Sequence, residues 1–244
     1  MAKRLPDISK HLLASLEPMG DVRPEELLRG YLDGSDLRHA FSGRAFDTYA
    51  TGTSDPNVIS GSDLIAVALL SIEIRAKSKS GITPAAALLL EERSGEVTAL
   101  LERLDPSLAL HELDEKQFML TLGGQDSPGQ LLHGLMLDIL RDKRGNKWVA
   151  AHKLLARKRP GLFPIRDKVV SDAVGLGSRS AWWRPWWSAL TGESGSDIVR
   201  GVEEIRRAAD AEHLTVLRVL DILIWTREQG RKDLPSDLRK RLAK

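Results

Sequence analysis

The sequence predicts an all-α protein of two lobes. Three observations lead there. Apolar residues recur at helical spacing in several runs, capping residues and prolines stand where those runs begin, and period-two alternation is scarce. The 244 residues are 42% hydrophobic and 29% charged, the balance of a globular chain able to bury a sizeable core. The expected organisation is a single helical domain over 1–244, divisible into two lobes, because no low-complexity linker separates independent parts.

Each element has a local cause. Pro24-Glu25-Glu26 opens a short helix ending near Gly34, with proline in the first turn and acids beside the positive helix end. Ser60 or Ser62 caps the run SDLIAVALLSIEI, which is apolar on most faces and reads as a central buried helix. Thr83-Pro84 and Ser127-Pro128 repeat one signature, a capping hydroxyl followed by proline at the first helical position. The second opens 128–142, striped by Leu132, Leu135, Met136, Ile139 and Leu140. Ile198, Val202, Ile205 and Ala209 share a face. The run HLTVLRVLDILIWTREQG is another buried helix, stopped by Gly230, and the terminal RKDLPSDLRKRLAK is a short polar helix or a frayed tail. FDTYA and VIS allow a minor β-hairpin, with a plain loop as the alternative.

Composition removes several chemistries. With no cysteine there is no disulfide, thiolate metal site or cysteine nucleophile. The six histidines, at 11, 39, 111, 133, 152 and 213, show no metal-ligand spacing, so neither metal nor cofactor is expected. LGGQDSPGQ is a turn and not a phosphate cradle, and neither SGRAF nor TGTSD has the context of a nucleophile elbow. Asp47 and Asp63 are explained by local capping. The apolar run Leu64–Leu70 is too short to span a bilayer, and the basic start lacks an apolar core and a cleavage site, so a cytoplasmic protein with no membrane association is expected. Nothing fixes an oligomeric state.

Net charge is only +2, yet charge is segregated along the chain. From Arg141 to Lys168 there are ten Lys/Arg against two Asp, whereas Glu91 to Glu115 is acidic. That basic segment also carries a hairpin-like pattern. Gly145-Asn146-Lys147 leads into a helix running through KLLARKRP to Pro160, with Ala151 where two helices would meet closely. Pro160 and Pro164 frame a short rigid connection, and Asp167 opens a second helix stopping at Gly175.

Segment 127–175 thus resembles the helix-hairpin-helix DNA glycosylases, in which a Gly-x-Gly hairpin precedes a loop of the form (V/F)P(V/I)D-x-x-V. FPIRDKVV matches with one extra residue, Arg166, and Lys147 stands where the second hairpin glycine belongs. The resemblance implies that fold and DNA as partner. It implies cleavage of the N-glycosidic bond of an extruded base, with Asp167 stabilising the sugar cation. Gly145, Asn146 and Lys147 would then hold phosphate, and Lys153, Arg157, Lys158 and Arg166 would supply a positive field. The family's strand-nicking members carry a Schiff-base Lys where this chain has Val149, so any activity would be that of a monofunctional glycosylase. RAFDTY, ISGSDLIAVALLSIEI, KLLARKRPGLFPIRDKVV and LRVLDILIW together also resemble an uncharacterised, mostly actinobacterial family, domain-of-unknown-function family 6308, which implies one unit and no activity.

Each feature has a purely structural reading as well. Asp is a preferred N-cap, a basic run is often a solvated helix face, and in WWRPWW the indoles suit a core as readily as a stacking surface at Trp182 and Trp183. The alternatives to a glycosylase-like enzyme are therefore a non-catalytic helical interaction protein that keeps the architecture, and single-stranded nucleic-acid binding through the Trp cluster.

Overall fold

A computed structural model describes residues 6–35, 40–72, 74, 83–141, 147–177, 182–229 and 234–242. The chain is helical, and among the described residues the only β pairing is an isolated bridge between Met19 and Val22. It divides into two compact units, one formed by 1–44 with 166–244 and the other by 45–165.

The first unit is built on α12 (Val216–Glu228), which packs against α1 (Ser9–Leu16), α2 (Pro24–Leu32), α9 (Lys168–Ala173) and α11 (Gly195–Ala208). Thr215 caps it, accepting from Arg218 N at 3.3 Å. Nearly every position from Val216 to Ile224 is buried, Arg218 and Asp221 included. Those two pair one turn apart, and Arg218 also donates to Tyr31 Oη (3.1 Å) and the Gly43 carbonyl (3.0 Å). A charge in that core is tolerable because its donors are met. α10 (Trp183–Thr191) packs on α11, and α13 (Ser236–Leu242) on α2. Helix α11 buries Ile198, Val202 and Ile205, as their spacing predicts. Helix α1 was not foreseen; it is two turns long and anchored by buried Ile8 and Leu12.

The second unit packs α3 (Gly61–Ala68) on α8 (Lys147–Lys158), α8 on α7 (Pro128–Ile139) and α7 on α5 (Ser94–Leu101). Two short helices pass into π turns: α4 (Ala85–Ala87) into Leu88–Glu92, and α6 (Glu115–Phe118) into Met119–Gly123. Ser127 caps α7 with proline next, as expected. Gly129 is required in that first turn, since a Cβ there would lie 2.8 Å from the Thr121 carbonyl oxygen and 2.5 Å from Leu122 Cδ2.

One expectation changes. Helix α3 ends at Ala68 and is not buried all round, because Ile65 is 49% exposed. Of the two readings of FDTYA and VIS, the loop is the one found: 46–59 forms turns with a 3-10 turn at Thr51–Thr53. The carbonyls a ladder would use are instead taken by α8. Phe46 and Tyr49 accept from Arg157, Asp55 from Lys158 and Pro56 from Arg159.

Candidate functional site

Helix α8 ends in three consecutive cations, Arg157, Lys158 and Arg159. Successive helical positions point about 100° apart, so three in a row cannot share one solvated face. All three turn inward. The Lys158 ammonium has three protons and three acceptors: Asp63 Oδ2 (2.7 Å), the Asp55 carbonyl (2.9 Å) and Ser54 Oγ (3.1 Å). Arg159 is 0% exposed, and its five N–H groups meet five acceptors. These are the carbonyls of Leu101 (2.6 Å), Leu104 (2.6 Å), Pro56 (2.7 Å) and Lys158 (2.7 Å), and Asn57 Oδ1 (2.5 Å). Arg157 donates to Asp63 Oδ1 (3.2 Å), the Phe46 carbonyl (2.6 Å) and the Tyr49 carbonyl. Lys153, one turn earlier and also buried, donates to the Leu70 carbonyl at 2.7 Å.

Asp63 is the carboxylate at the centre, fully buried in the first turn of α3. Its Oδ2 also accepts from Ser60 N (2.9 Å) and Ser60 Oγ (3.0 Å). Burial by itself pushes this acid up, but the hydrogen bonds from Lys158 and Ser60 outweigh it and hold the carboxyl below its ordinary value. Burial pushes the Lys158 ammonium down while Asp63 opposes that. Three acceptors around one nitrogen suit an ammonium, so the charged pair is the form this geometry fits. Reading Asp63 from sequence as a local cap found half of its role. The other half joins residues 95 positions apart, and its only sequence signal is the triple cation at a helix end.

The remaining residues singled out from sequence fall in different surroundings. Gly145 and Asn146 lie outside the described residues. Lys147 is half-buried at the first position of α8, and Val149 is half-buried in the same turn. Asp167 caps α9: its backbone is extended, Oδ1 accepts from Val169 N at 2.8 Å, and its carbonyl accepts from Ser171 N (2.8 Å) and Ser171 Oγ (2.6 Å). Arg166 is buried, its guanidinium 5.6 Å from the Trp182 ring centroid, and burial pushes it below its ordinary value. Trp182 and Trp183 are buried too, Trp182 packing on Trp186 at 5.9 Å. Within WWRPWW the half-buried indole is Trp187, with the Arg184 guanidinium 5.7 Å from its centroid. The structure thus joins Arg157 to Lys158 through Asp63, and Arg166 to Trp182. The unit boundary falls between Ile165 and Arg166, so Asp167 belongs to one unit and Lys153, Arg157 and Lys158 to the other.

His133 and His152 meet where α7 packs on α8, ring centroids 4.7 Å apart, with His152 Nδ1 2.8 Å from the Trp148 carbonyl oxygen. Among the described residues no group of three or more His, Asp or Glu is placed to hold a metal, and no helix is long and apolar enough to cross a membrane.

No curated protein and no solved structure matches the chain. A family model described as "Family of unknown function (DUF6308)" matches residues 24–228, and the chain belongs to that family.

Proposed function

We propose that this member of the family is a non-catalytic helical interaction protein, whose central basic segment is architectural. One observation carries the reading. The eight N–H groups of Lys158 and Arg159 are each matched by an acceptor within the chain, which leaves none for a phosphate. A positive field for DNA needs basic groups at the surface. Between 45 and 165 the sequence holds fourteen Lys/Arg and fifteen Asp/Glu. Among the described residues Lys153, Arg157, Lys158 and Arg159 are turned inward with one acid, Asp63, and the other charged positions of 45–165 are ten Lys/Arg and fourteen Asp/Glu. Buried Trp182 and Trp183 likewise favour packing over base stacking.

The glycosylase-like reading keeps one supporting observation: Asp167 stands half-buried at the start of α9, where the resemblance puts the catalytic carboxylate. The two readings separate at that residue. Asn caps a helix as well as Asp does, so an architectural Asp167 predicts that Asp167→Asn leaves stability nearly unchanged and Asp167→Ala costs about 1 kcal/mol. Alkali-revealed scission of duplexes containing uracil, alkylated or oxidised bases would be measured with the wild-type chain and Asp167→Asn, alongside DNA affinity as a function of salt. No turnover and no salt-dependent affinity are expected. Turnover by the wild type that Asp167→Asn abolishes would overturn the proposal.

A further inference from the structure

Helix α2 carries a recess made by a glycine. Gly30 stands inside the helix, where glycine is among the poorest residues, and what it provides is room. A Cβ on Gly30 would lie 2.8 Å from Leu238 Cδ1, 3.1 Å from Leu234 Cδ2 and 3.3 Å from Pro235 Cδ. Both leucines are buried there, although they belong to the C-terminal segment. One turn before Gly30 on the same face of α2 stands Glu26. Both its carboxylate oxygens accept from Arg241, at 2.6 and 3.1 Å, and Arg23 Nε lies 3.6 Å from the same carboxylate. Arg241 also donates to the Asp21 carbonyl and, at 3.4 Å, to Asp21 Oδ2.

The segment seated in the recess is a short recognition element. Leu234 and Pro235 stand just ahead of α13, Leu238 lies in its first turn and Arg241 one turn further, so these contacts follow the pattern Leu-Pro-x-x-Leu-x-x-Arg. Ser236, Asp237, Arg239 and Lys240 are exposed. Helix α13 has seven residues, too few to hold a helix in water without a surface beneath it. The family match begins at Pro24, the first residue of α2, and ends at Glu228, the last of α12. The recess therefore lies inside the matched part of the chain and its occupant outside it. A preformed recess filled by a short separate helix is helix-in-groove recognition, satisfied here in cis. We infer that the Gly30 recess of α2 docks a short helix of another protein carrying Leu-Pro-x-x-Leu-x-x-Arg, and that α13 covers it as a strap that the partner displaces. The occupant seen in the recess defines that chemistry: two apolar anchors beside Gly30 and one guanidinium paired with Glu26 and Asp21. This rests on the reading of the chain as an interaction protein and adds the surface, the kind of partner and the element that covers it.

The test uses the full chain and a fluorescent peptide spanning residues 229–244. Fluorescence anisotropy should show weak binding to the wild type, whose own α13 competes at a millimolar effective concentration. The full chain with Leu234→Ser and Leu238→Ser, or with Arg241→Glu, should bind the peptide at least about tenfold more tightly. Arg241→Glu keeps both leucines and decides the comparison should the double variant lose its unfolding transition. A second peptide that keeps Leu234, Pro235, Leu238 and Arg241 and carries Ala and Gln elsewhere should bind as the first does, and a peptide with Leu238→Ser should not bind. Adding Gly30→Leu to the opened chain fills the recess from within and should abolish binding. Equal affinity of wild type and opened variants for the peptide, or binding that survives Gly30→Leu, overturns the inference. So does sedimentation showing a wild-type dimer that Gly30→Leu dissociates, because the occupant is then the α13 of a second copy. A failed peptide titration leaves the architectural reading of α8 in place, whereas base-excision turnover removes that reading whatever the peptide does.

Discussion

Replacing Asp63 by Asn tests the central clamp most directly. The two side chains are nearly isosteric, so packing is conserved and the change is electrical. Oδ1 accepts from Arg157 at 3.2 Å, while Oδ2 accepts from Lys158 at 2.7 Å and twice from Ser60. An amide has one oxygen, so either Arg157 or the Lys158–Ser60 set must face an NH2, donor against donor. One buried charge-assisted hydrogen bond is lost outright, worth about 1.5–3 kcal/mol, and the attraction of a carboxylate for two buried cations goes with it. Removing one member of a buried pair costs about 3–5 kcal/mol in total. For a chain of this length, that lowers the melting temperature by roughly 10 °C. The assay is urea and thermal unfolding of wild type, Asp63→Asn, Lys158→Met and the double variant, with coupling expected at about 2 kcal/mol. The carboxyl titrates below its ordinary value in the folded state. Its contribution is therefore complete above the unfolded carboxylate pKa of about 3.9 and disappears as pH falls through the folded value, so wild type and variant should converge in acid. A loss under about 1 kcal/mol, or coupling indistinguishable from zero, refutes the clamp.

Three further outcomes follow from the same structure. Arg159→Lys keeps the charge but offers three donors to five acceptors, so at least two oxygens lose this donor; a loss of about 3 kcal/mol in urea unfolding is expected. Gly161→Ala would put a Cβ 2.5 Å from the Leu108 carbonyl oxygen, beside the bond from Leu110 N to the Gly161 carbonyl (2.8 Å), so thermal unfolding should show destabilisation of about 2 kcal/mol. In the other unit, Arg241 donates to both Glu26 oxygens, at 2.6 and 3.1 Å, and with the Arg23 backbone N–H holds that carboxyl at about 2 against an ordinary 4.5. The stabilisation is present above pH 4.5 and is lost as pH falls toward 2, amounting to about 1 kcal/mol after solvent screening. Protection factors at 236–242, taken against the unstructured exchange rate at each pH, should fall over that interval in wild type, and Glu26→Gln should show the lower protection already at pH 6.

Two helix starts were legible because their causes are local. Ser127 with Pro128 before α7 and Asp167 before α9 each place an acceptor beside free amides of a first turn, and the structure uses both as caps. The apolar stripe of α11 was legible for the same reason: periodicity and burial are two views of one face. The loop over 46–59 was not. Its Phe, Tyr, Val and Ile favour strands, but backbone carbonyls go to the best donors within reach, and three long cationic side chains from α8 outcompete a marginal hairpin.

The same long-range donors explain why the burial of Arg157, Lys158 and Arg159 was not legible in the sequence. Composition assigns Lys and Arg to the surface because burying a lone charge is prohibitive. Arg157, Lys158 and Arg159 escape that penalty collectively: one carboxylate supplies countercharge, and the turn-rich loop supplies carbonyls that a regular helix or sheet would have satisfied itself. Loop and cations are therefore mutually dependent. Without the cations the loop carbonyls lose these donors, and without the irregular loop three helix-end charges would be stranded. A sequence segment that is strongly basic and packs beside an irregular stretch of backbone thus has two stable fates, a phosphate-facing surface or an internal clamp. Donor-by-donor matching distinguishes them, and at Lys158 and Arg159 every donor is matched inside the chain.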